Sequence, residues 1–100
     1  MSDYIYSRDE IADVVISLLK KYRAEKAILF GSYARQDATS GSDIDLMIIG
    51  GAEFEPTDVF AIADELYRLM GKNVDVYEIQ EIDIDSEFYS TIMEEGVQIA

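Results

Sequence analysis

The chain has 100 residues, a net charge of −13, and neither cysteine nor histidine. This length fits one small domain over residues 1–100, and the missing Cys and His side chains exclude disulfides, thiolate zinc sites and an imidazole base. A surface that binds DNA or RNA needs Lys and Arg at the phosphate backbone, so the negative charge argues against direct nucleic-acid binding.

No apolar segment reaches the roughly 18 residues that span a bilayer, and the N-terminus lacks the basic start and apolar core of a signal peptide. We therefore expect a cytoplasmic protein with no membrane attachment. The acidic surface has two open interpretations: it serves solubility alone, or it attracts a basic protein partner.

A first helix is predicted from about residue 9 to residue 22. Ser7 and Glu10 match the capping box that begins many helices. The apolar residues that follow recur at helical spacing and indicate one buried face: Ile11, Val14, Val15, Leu18, Leu19 and Tyr22.

Residues 27–30 and 46–49 are two apolar runs rich in residues that favour strands, and they predict strands over residues 26–30 and 43–49 with a polar, glycine-punctuated loop between them. The second predicted strand begins with acids and continues with apolar residues at every position. A strand of this composition is typical of the centre of a sheet that is covered on both faces.

The loop opens with Gly31-Ser32, after the first strand and before residues 33–35, which could start a short helix. Backbone N–H groups at such a turn and the Ser32 hydroxyl are free to bind a phosphate. Ser32 could instead be a simple turn or cap residue. Arg35 could pair with a loop carboxylate such as Asp37 or contact nucleotide phosphates.

Asp43 and Asp45 are two positions apart, which on a strand places both side chains on one face, about 6.6 Å apart along the chain. Two carboxylates at roughly 6 Å repel by about 3 kcal/mol at an effective dielectric near 20. A cation between them would offset this repulsion, and Mg²⁺ takes few protein carboxylates and completes its coordination with water and phosphate. The alternative is a solvated strand edge, against which the apolar residues that follow argue.

A second helix is predicted after Pro56, with Thr57 as its cap and Gly71 at its end. Its apolar residues would line one face: Val59, Phe60, Ala63, Leu66, Tyr67 and Met70.

The last quarter of the chain predicts a strand, a helix and a short edge strand. The strand, residues 73–79, places Asp75 on the face opposite Val74 and Val76. The helix, residues 86–95, would be capped by Asp85 and would point Phe88, Ile92 and Met93 inward. The edge strand would follow at residues 97–99.

The segments Gly31-Ser32 with Tyr33-Ala34-Arg35, and Ser42-Asp43-Ile44-Asp45-Leu46, resemble the signature of the DNA polymerase beta-like nucleotidyltransferase superfamily. More narrowly, the chain resembles the minimal nucleotidyltransferases that are antitoxin partners of HEPN-domain toxins. That family requires a third carboxylate on a neighbouring strand, and Asp75 is the residue that matches it. The resemblance implies an α+β fold with a mixed sheet of about four strands and about three helices.

The resemblance also implies an enzyme that moves AMP from ATP to a hydroxyl group. Two Mg²⁺ ions would be held by three carboxylates: Asp43, Asp45 and Asp75. Asp75 is in addition the candidate base. The nucleotide would be bound by Gly31, Ser32 and Arg35.

The acceptor that the resemblance implies is a tyrosine of a partner HEPN toxin, which AMP would silence within a hetero-oligomer. A second hypothesis is a non-catalytic antitoxin that keeps the fold and neutralises its partner by stoichiometric occlusion. The sequence does not fix the base preference or the number of AMP units added.

Overall fold

The computed structural model describes residues 3–100, which form four α-helices and one four-stranded sheet. In chain order these are α1 (Arg8–Tyr22), β1 (Lys26–Phe30), α2 (Ser32–Arg35), β2 (Ile44–Ile49), α3 (Asp58–Met70), β3 (Val74–Glu78), a 3₁₀ turn (Ile79–Glu81), α4 (Glu87–Glu95) and β4 (Val97–Gln98). Each predicted strand is therefore confirmed to within one residue at either end. Within the described part of the chain, no helix is both long enough and apolar enough to cross a bilayer.

The strands lie in the order β3-β2-β1-β4. β1 pairs antiparallel with β2 and with β4, whereas β2 pairs parallel with β3. The parallel pair is joined by α3, as a parallel connection requires a crossover. The predicted mixed sheet, with β2 in its interior, is confirmed.

Local signals set most of the helix ends. Ser7 and Glu10 form the predicted capping box of α1, and Gly71 ends α3 with a left-handed φ of 70°. Thr57 directly precedes α3, but its side chain makes no capping hydrogen bond. The prediction of Asp85 as the cap of α4 is wrong: the Ser86 hydroxyl accepts the hydrogen bond from the Tyr89 N–H.

The sheet has two unequal faces. α1 and α3 cover one of them and form the larger core, which includes Ile11, Val15, Leu18, Leu29, Leu46, Ile48, Ile62 and Leu66. α4 lies on the other face, where a smaller cluster contains Phe30, Met47, Ile82 and Ile92. Because side chains alternate along a strand, Leu46 and Met47 point to opposite faces.

The predicted inward faces of two helices need correction. On α3, Phe60 is 76% exposed and Tyr67 45% exposed, and Ile62, which the prediction omitted, is buried in their place. On α4, Phe88 and Met93 are 41% and 51% exposed, and Ile92 is buried. Helical spacing identifies residues that share a face, but the neighbouring element decides how wide a stripe it covers.

Candidate functional site

Asp45 and Asp75 lie side by side near the start of two adjacent parallel strands. Each is the second residue of its strand, and the register of β2 and β3 places them directly opposite each other. Residues opposite each other in register point to the same face, here the face that carries α4. Asp43 precedes β2 by one residue and completes the group at the same end of the sheet.

Gly31 lies directly against Asp45. The register of β1 and β2 pairs Phe30 with Asp45, and Gly31 follows as the residue that turns the chain into α2. Gly31 has a φ of +74°, and a Cβ added to it would lie 2.4 Å from Asp45 Oδ2. Only glycine fits this close approach in this conformation without strain.

The electrostatics of Asp45 reflect its neighbours. Its side chain is half-buried, and this burial is the main cause that raises its pKa from 3.8 to about 6. The negative charges of Asp75 and Asp43 raise the pKa further, while Arg35 acts in the opposite direction. The site therefore concentrates negative charge that nearby protein cations compensate only in part.

The donor set has the chemistry that hard divalent cations prefer, since all three side chains are carboxylates. The strand register holds two of these carboxylates, those of Asp45 and Asp75, side by side, and a cation between them would favour their charged forms. Over residues 3–100, no group of three or more potential ligands is already drawn together as a metal-binding set. Asp43 and Asp75 are exposed, so their side chains have freedom to rotate toward an ion.

The phosphate-binding candidates form a second cluster beside the acids. Ser32 is the first residue of α2 and is half-exposed. The Gly31 N–H donates a hydrogen bond of 3.0 Å to Glu95 Oε1. Arg35 forms ion pairs of 3.2 Å with Asp37 and with Glu95, so the predicted pairing with Asp37 is present together with one that was not predicted.

Sequence reasoning missed the contribution of α4 to this site. Phe88 on α4 packs edge-on against Tyr77 and Phe30, with ring centroids 5.3 and 5.7 Å apart. Tyr77 shares the face of Asp75, and burial, followed by the charges of Asp75 and Asp45, raises its pKa. The aromatic cluster of Phe30, Tyr77 and Phe88 therefore borders the acids. The one available signal was the seven-residue spacing of Phe88 and Glu95, which places both on one side of α4.

Lys72 is a further residue without a sequence signal for its role. It is only 2% exposed, and its ammonium group donates to the carbonyl oxygen of Ser40 at 2.9 Å. The Ile44 N–H also donates to the Asn73 carbonyl oxygen at 3.0 Å. These bonds fasten the loop before Asp43 to the start of β3.

Comparison with protein families gives one match over most of the chain. The family described as "Polymerase beta, Nucleotidyltransferase" matches residues 13–100. Two similar proteins come from Methanocaldococcus jannaschii. "Putative protein adenylyltransferase MJ0604" is 37% identical over 92 residues, which cover 86% of this chain and 90% of that protein. "Putative protein adenylyltransferase MJ0435" is 37% identical over 68 residues, which cover 68% and 73%.

Solved structures give the same fold. A chain from a toxin-antitoxin crystal structure with AMP-PNP aligns with a TM-score of 0.76 at 20% identity, covering 89% of this chain and 72% of that one. A chain from the complex of tri-AMPylated Shewanella oneidensis HEPN toxin with MNT antitoxin aligns with a TM-score of 0.71 at 18% identity, covering 93% and 71%. At these identities the likeness concerns the fold, and it confirms the predicted architecture.

Proposed function

The chain belongs to the polymerase beta nucleotidyltransferase family and carries its nucleotidyltransferase domain, and from that premise we propose that it transfers AMP from ATP to a hydroxyl group on a partner protein. The observation that carries the proposal is the in-register pair of Asp45 and Asp75, set against the Gly31 turn. The relatives named as protein adenylyltransferases support the reaction class.

In this proposal Asp43, Asp45 and Asp75 would hold two Mg²⁺ ions. Bound divalent ions would offset the charge that develops on the attacking and leaving oxygens. Residues of the chain itself would bind the nucleotide. The Gly31 N–H, the Ser32 hydroxyl and the Arg35 guanidinium would bind the triphosphate, because all three can donate hydrogen bonds to anionic oxygens.

The transfer is a substitution at the α-phosphorus. The acceptor oxygen forms the new P–O bond, the bond from the α-phosphorus to the bridging oxygen breaks, and pyrophosphate leaves. Asp75 would accept the proton of the acceptor hydroxyl, and its exposure and its position beside Asp45 support this role.

We infer that the acceptor is a tyrosine of a HEPN-domain toxin and that the protein acts as its antitoxin. Two features support a macromolecular acceptor. Asp43 and Asp75 are exposed, so the acids face an open surface that a large partner can reach. The net charge of −13 would speed encounter with a basic partner. The structural neighbours named as toxin-antitoxin complexes support the class of partner.

The test is to incubate the protein with ATP, Mg²⁺ and the HEPN-domain protein encoded in the same genome, and to weigh both chains by mass spectrometry. We expect the partner to gain the mass of one or more AMP units at a tyrosine and to lose ribonuclease activity. Asp45→Asn is the control that should give no mass gain. An unmodified partner after incubation with the wild type would overturn the proposal.

A second candidate function is stoichiometric occlusion of the partner without transfer. The net charge of −13 supports it, because attraction of a basic partner requires no transfer. The double variant Asp43→Asn, Asp45→Asn separates the two functions. Occlusion predicts that this variant still neutralises the partner at equal concentration, whereas AMP transfer predicts that it does not.

A further inference from the structure

Glu95, the last residue of α4, occupies hydrogen-bond donors of the turn between β1 and α2. Its Oε1 accepts the Gly31 N–H at 3.0 Å, and both its carboxylate oxygens lie 3.2 Å from Arg35 Nη1. The side chain of Glu95 is only 22% exposed, so this carboxylate sits in the turn and not in bulk solvent. These two donors are the ones that the proposed function assigns to the nucleotide phosphates.

A carboxylate and a phosphate oxygen compete for such donors because both are anionic acceptors. A backbone N–H makes one well-aligned hydrogen bond at a time, so the Gly31 N–H cannot serve Glu95 and a phosphate together. Arg35 already shares its charge with Asp37 at 3.2 Å. The internal anion therefore has to give up its contacts before an external one can use them.

The backbone around Glu95 leaves the helix little freedom to move away. Val97, two residues further on, is the register partner of Leu29 in the sheet. Gly96 packs so closely that a Cβ there would lie 2.6 Å from Ile28 Cγ2. Release of the two donors would therefore come from rotation of the Glu95 side chain, with α4 staying in place.

We propose that the Glu95 carboxylate takes the place of a phosphate group. It occupies the hydrogen-bond donors of Gly31 and Arg35 until the triphosphate of a nucleotide displaces it. This inference rests on the proposed function for its ligand but concerns binding alone. A protein whose binding site is open in only a fraction of molecules shows an affinity reduced by that fraction. If Glu95 occupies these donors in about nine of ten molecules, its removal strengthens binding about tenfold.

The experiment is calorimetric titration of the full chain with ATP and with inorganic tripolyphosphate, both in the presence of Mg²⁺. We expect Glu95→Ala to bind both ligands about tenfold more tightly than the wild type, because both carry the phosphates that compete with the carboxylate. Glu95→Gln, which keeps the size but loses the charge, should show a smaller gain of the same sign. Adenosine, which has no phosphate, should bind all variants equally.

The matched control is Glu94→Gln, which removes the same charge from the exposed neighbouring residue of α4. Its affinity for ATP should stay within about twofold of the wild type, as an exposed charge contributes little. Equal or weaker binding by both Glu95 variants would overturn the inference and would mean that Glu95 supports the turn. An equal gain in Glu94→Gln would also overturn it, since the effect would then be one of overall charge.

Failure of this inference is distinguishable from failure of the proposed function. Tighter binding by Glu95→Ala, with no AMP transfer by the wild type to any protein, would support the inference and overturn the proposed function. Transfer by the wild type without a gain in the Glu95 variants would remove the inference alone. If no variant binds ATP or tripolyphosphate, both are overturned. Thermal melts of each variant establish that the folded protein is being titrated.

Discussion

Each face of the sheet holds a carboxylate that is at least half-buried, and the two differ in what surrounds them. Glu78, on the face covered by α1 and α3, is 5% exposed and accepts hydrogen bonds from the Gly50 N–H at 3.1 Å and the Gln80 N–H at 2.6 Å. Asp45, on the face that carries α4, lies beside Asp75 and Asp43, and burial followed by the charges of these two residues raises its pKa. Each oxygen of the first carboxylate accepts a backbone N–H, whereas the second lies beside two other carboxylates whose charge Arg35 offsets only in part.

This difference separates a structural carboxylate from one suited to binding a ligand. Buried polar groups in folded proteins normally find hydrogen-bond partners, as Glu78 does. Groups whose pKa values are shifted by burial and by neighbouring charges occur preferentially at functional sites. The face covered by α1 and α3, called the packed face, therefore supplies stability, and the face that carries α4, called the open face, supplies the candidate site.

The largest effect is expected from Asp75→Asn, which tests the open face directly. In the proposed function Asp75 helps to hold the ions and accepts the proton of the acceptor, so its loss should lower the rate of AMP transfer by about a thousandfold. The melting temperature should not fall, because Asp75 is exposed and lies outside both apolar clusters. Quantified transfer to the partner and thermal melts of the same samples would measure both. Transfer within tenfold of the wild type would exclude a role for Asp75.

Leu46→Ala is the reciprocal change on the packed face, one residue from Asp45. Leu46 is fully buried, and its truncation should lower the free energy of unfolding by about 3 kcal/mol. The rate of transfer per folded molecule should change little. Urea denaturation and activity at a temperature where the variant stays folded would test this separation. A thousandfold loss of activity in the folded variant would contradict it.

Glu78→Ala would remove the carboxylate that accepts two backbone N–H hydrogen bonds on the packed face. Two N–H groups, at Gly50 and Gln80, would lose their acceptor, and the free energy of unfolding should fall by about 2 kcal/mol. Glu78→Gln keeps one oxygen acceptor and should lose less. Denaturant titration of both variants is the measurement. Equal stability of Glu78→Ala and wild type would mean that water replaces the carboxylate.

Gly31→Ala tests the close approach that links the turn to the acids. Its Cβ would lie 2.4 Å from Asp45 Oδ2, and the φ of +74° is unfavourable for alanine. The free energy of unfolding should therefore fall by about 1–2 kcal/mol. Because Asp45 must shift, transfer should fall as well. Gly41→Ala is the control, since no atom lies within 4 Å of a Cβ built there. Similar losses in both variants would argue against a specific contact.

Much of the fold could be predicted because its signals are local. The Ser7–Glu10 capping box, the apolar strands and Gly71 each depend on a few neighbouring residues, and all are found as predicted. The meeting of Asp45 with Asp75 depends on the parallel pairing of β2 and β3, which a resemblance to known proteins suggested and local patterns could not supply.

The contact between Glu95 and Gly31 could not be predicted from the sequence, because it joins residues 64 positions apart. The prediction that Phe88 points into the core is wrong because it too rests on local spacing alone. Phe88 has the helical spacing of a buried residue, but α4 covers the sheet with a narrow stripe and leaves Phe88 41% exposed.

The smallest effect is expected from Asp45→Asn in the absence of metal, where the substitution removes a carboxylate of raised pKa. A pKa raised from 3.8 to about 6 in the folded protein means that Asp45 stabilises the fold at low pH and that this contribution is lost as the pH rises through about 6. In EDTA, Asp45→Asn should therefore exceed the wild type in stability by about 1 kcal/mol near neutral pH, after allowance for solvent screening of a half-exposed group.

Denaturant titrations at about pH 4.5 and about pH 7.5 would measure this difference, which should shrink at the lower pH. Asp13→Asn, which removes one negative charge at an exposed position of α1, is the matched control for the change in net charge. A difference that grows on acidification would contradict the sign of the expected shift.

The pairing of β2 with β3 has a consequence for how the site tolerates change elsewhere. Neighbouring strands lie about 4.8 Å apart because their backbones are hydrogen-bonded, and this spacing does not depend on which side chains fill the layers above and below. The separation of the Asp45 and Asp75 α-carbons is thus fixed by the ladder itself. Sequences that diverge widely in their apolar residues can keep the same interval between these two acids, provided that the two strands stay in register.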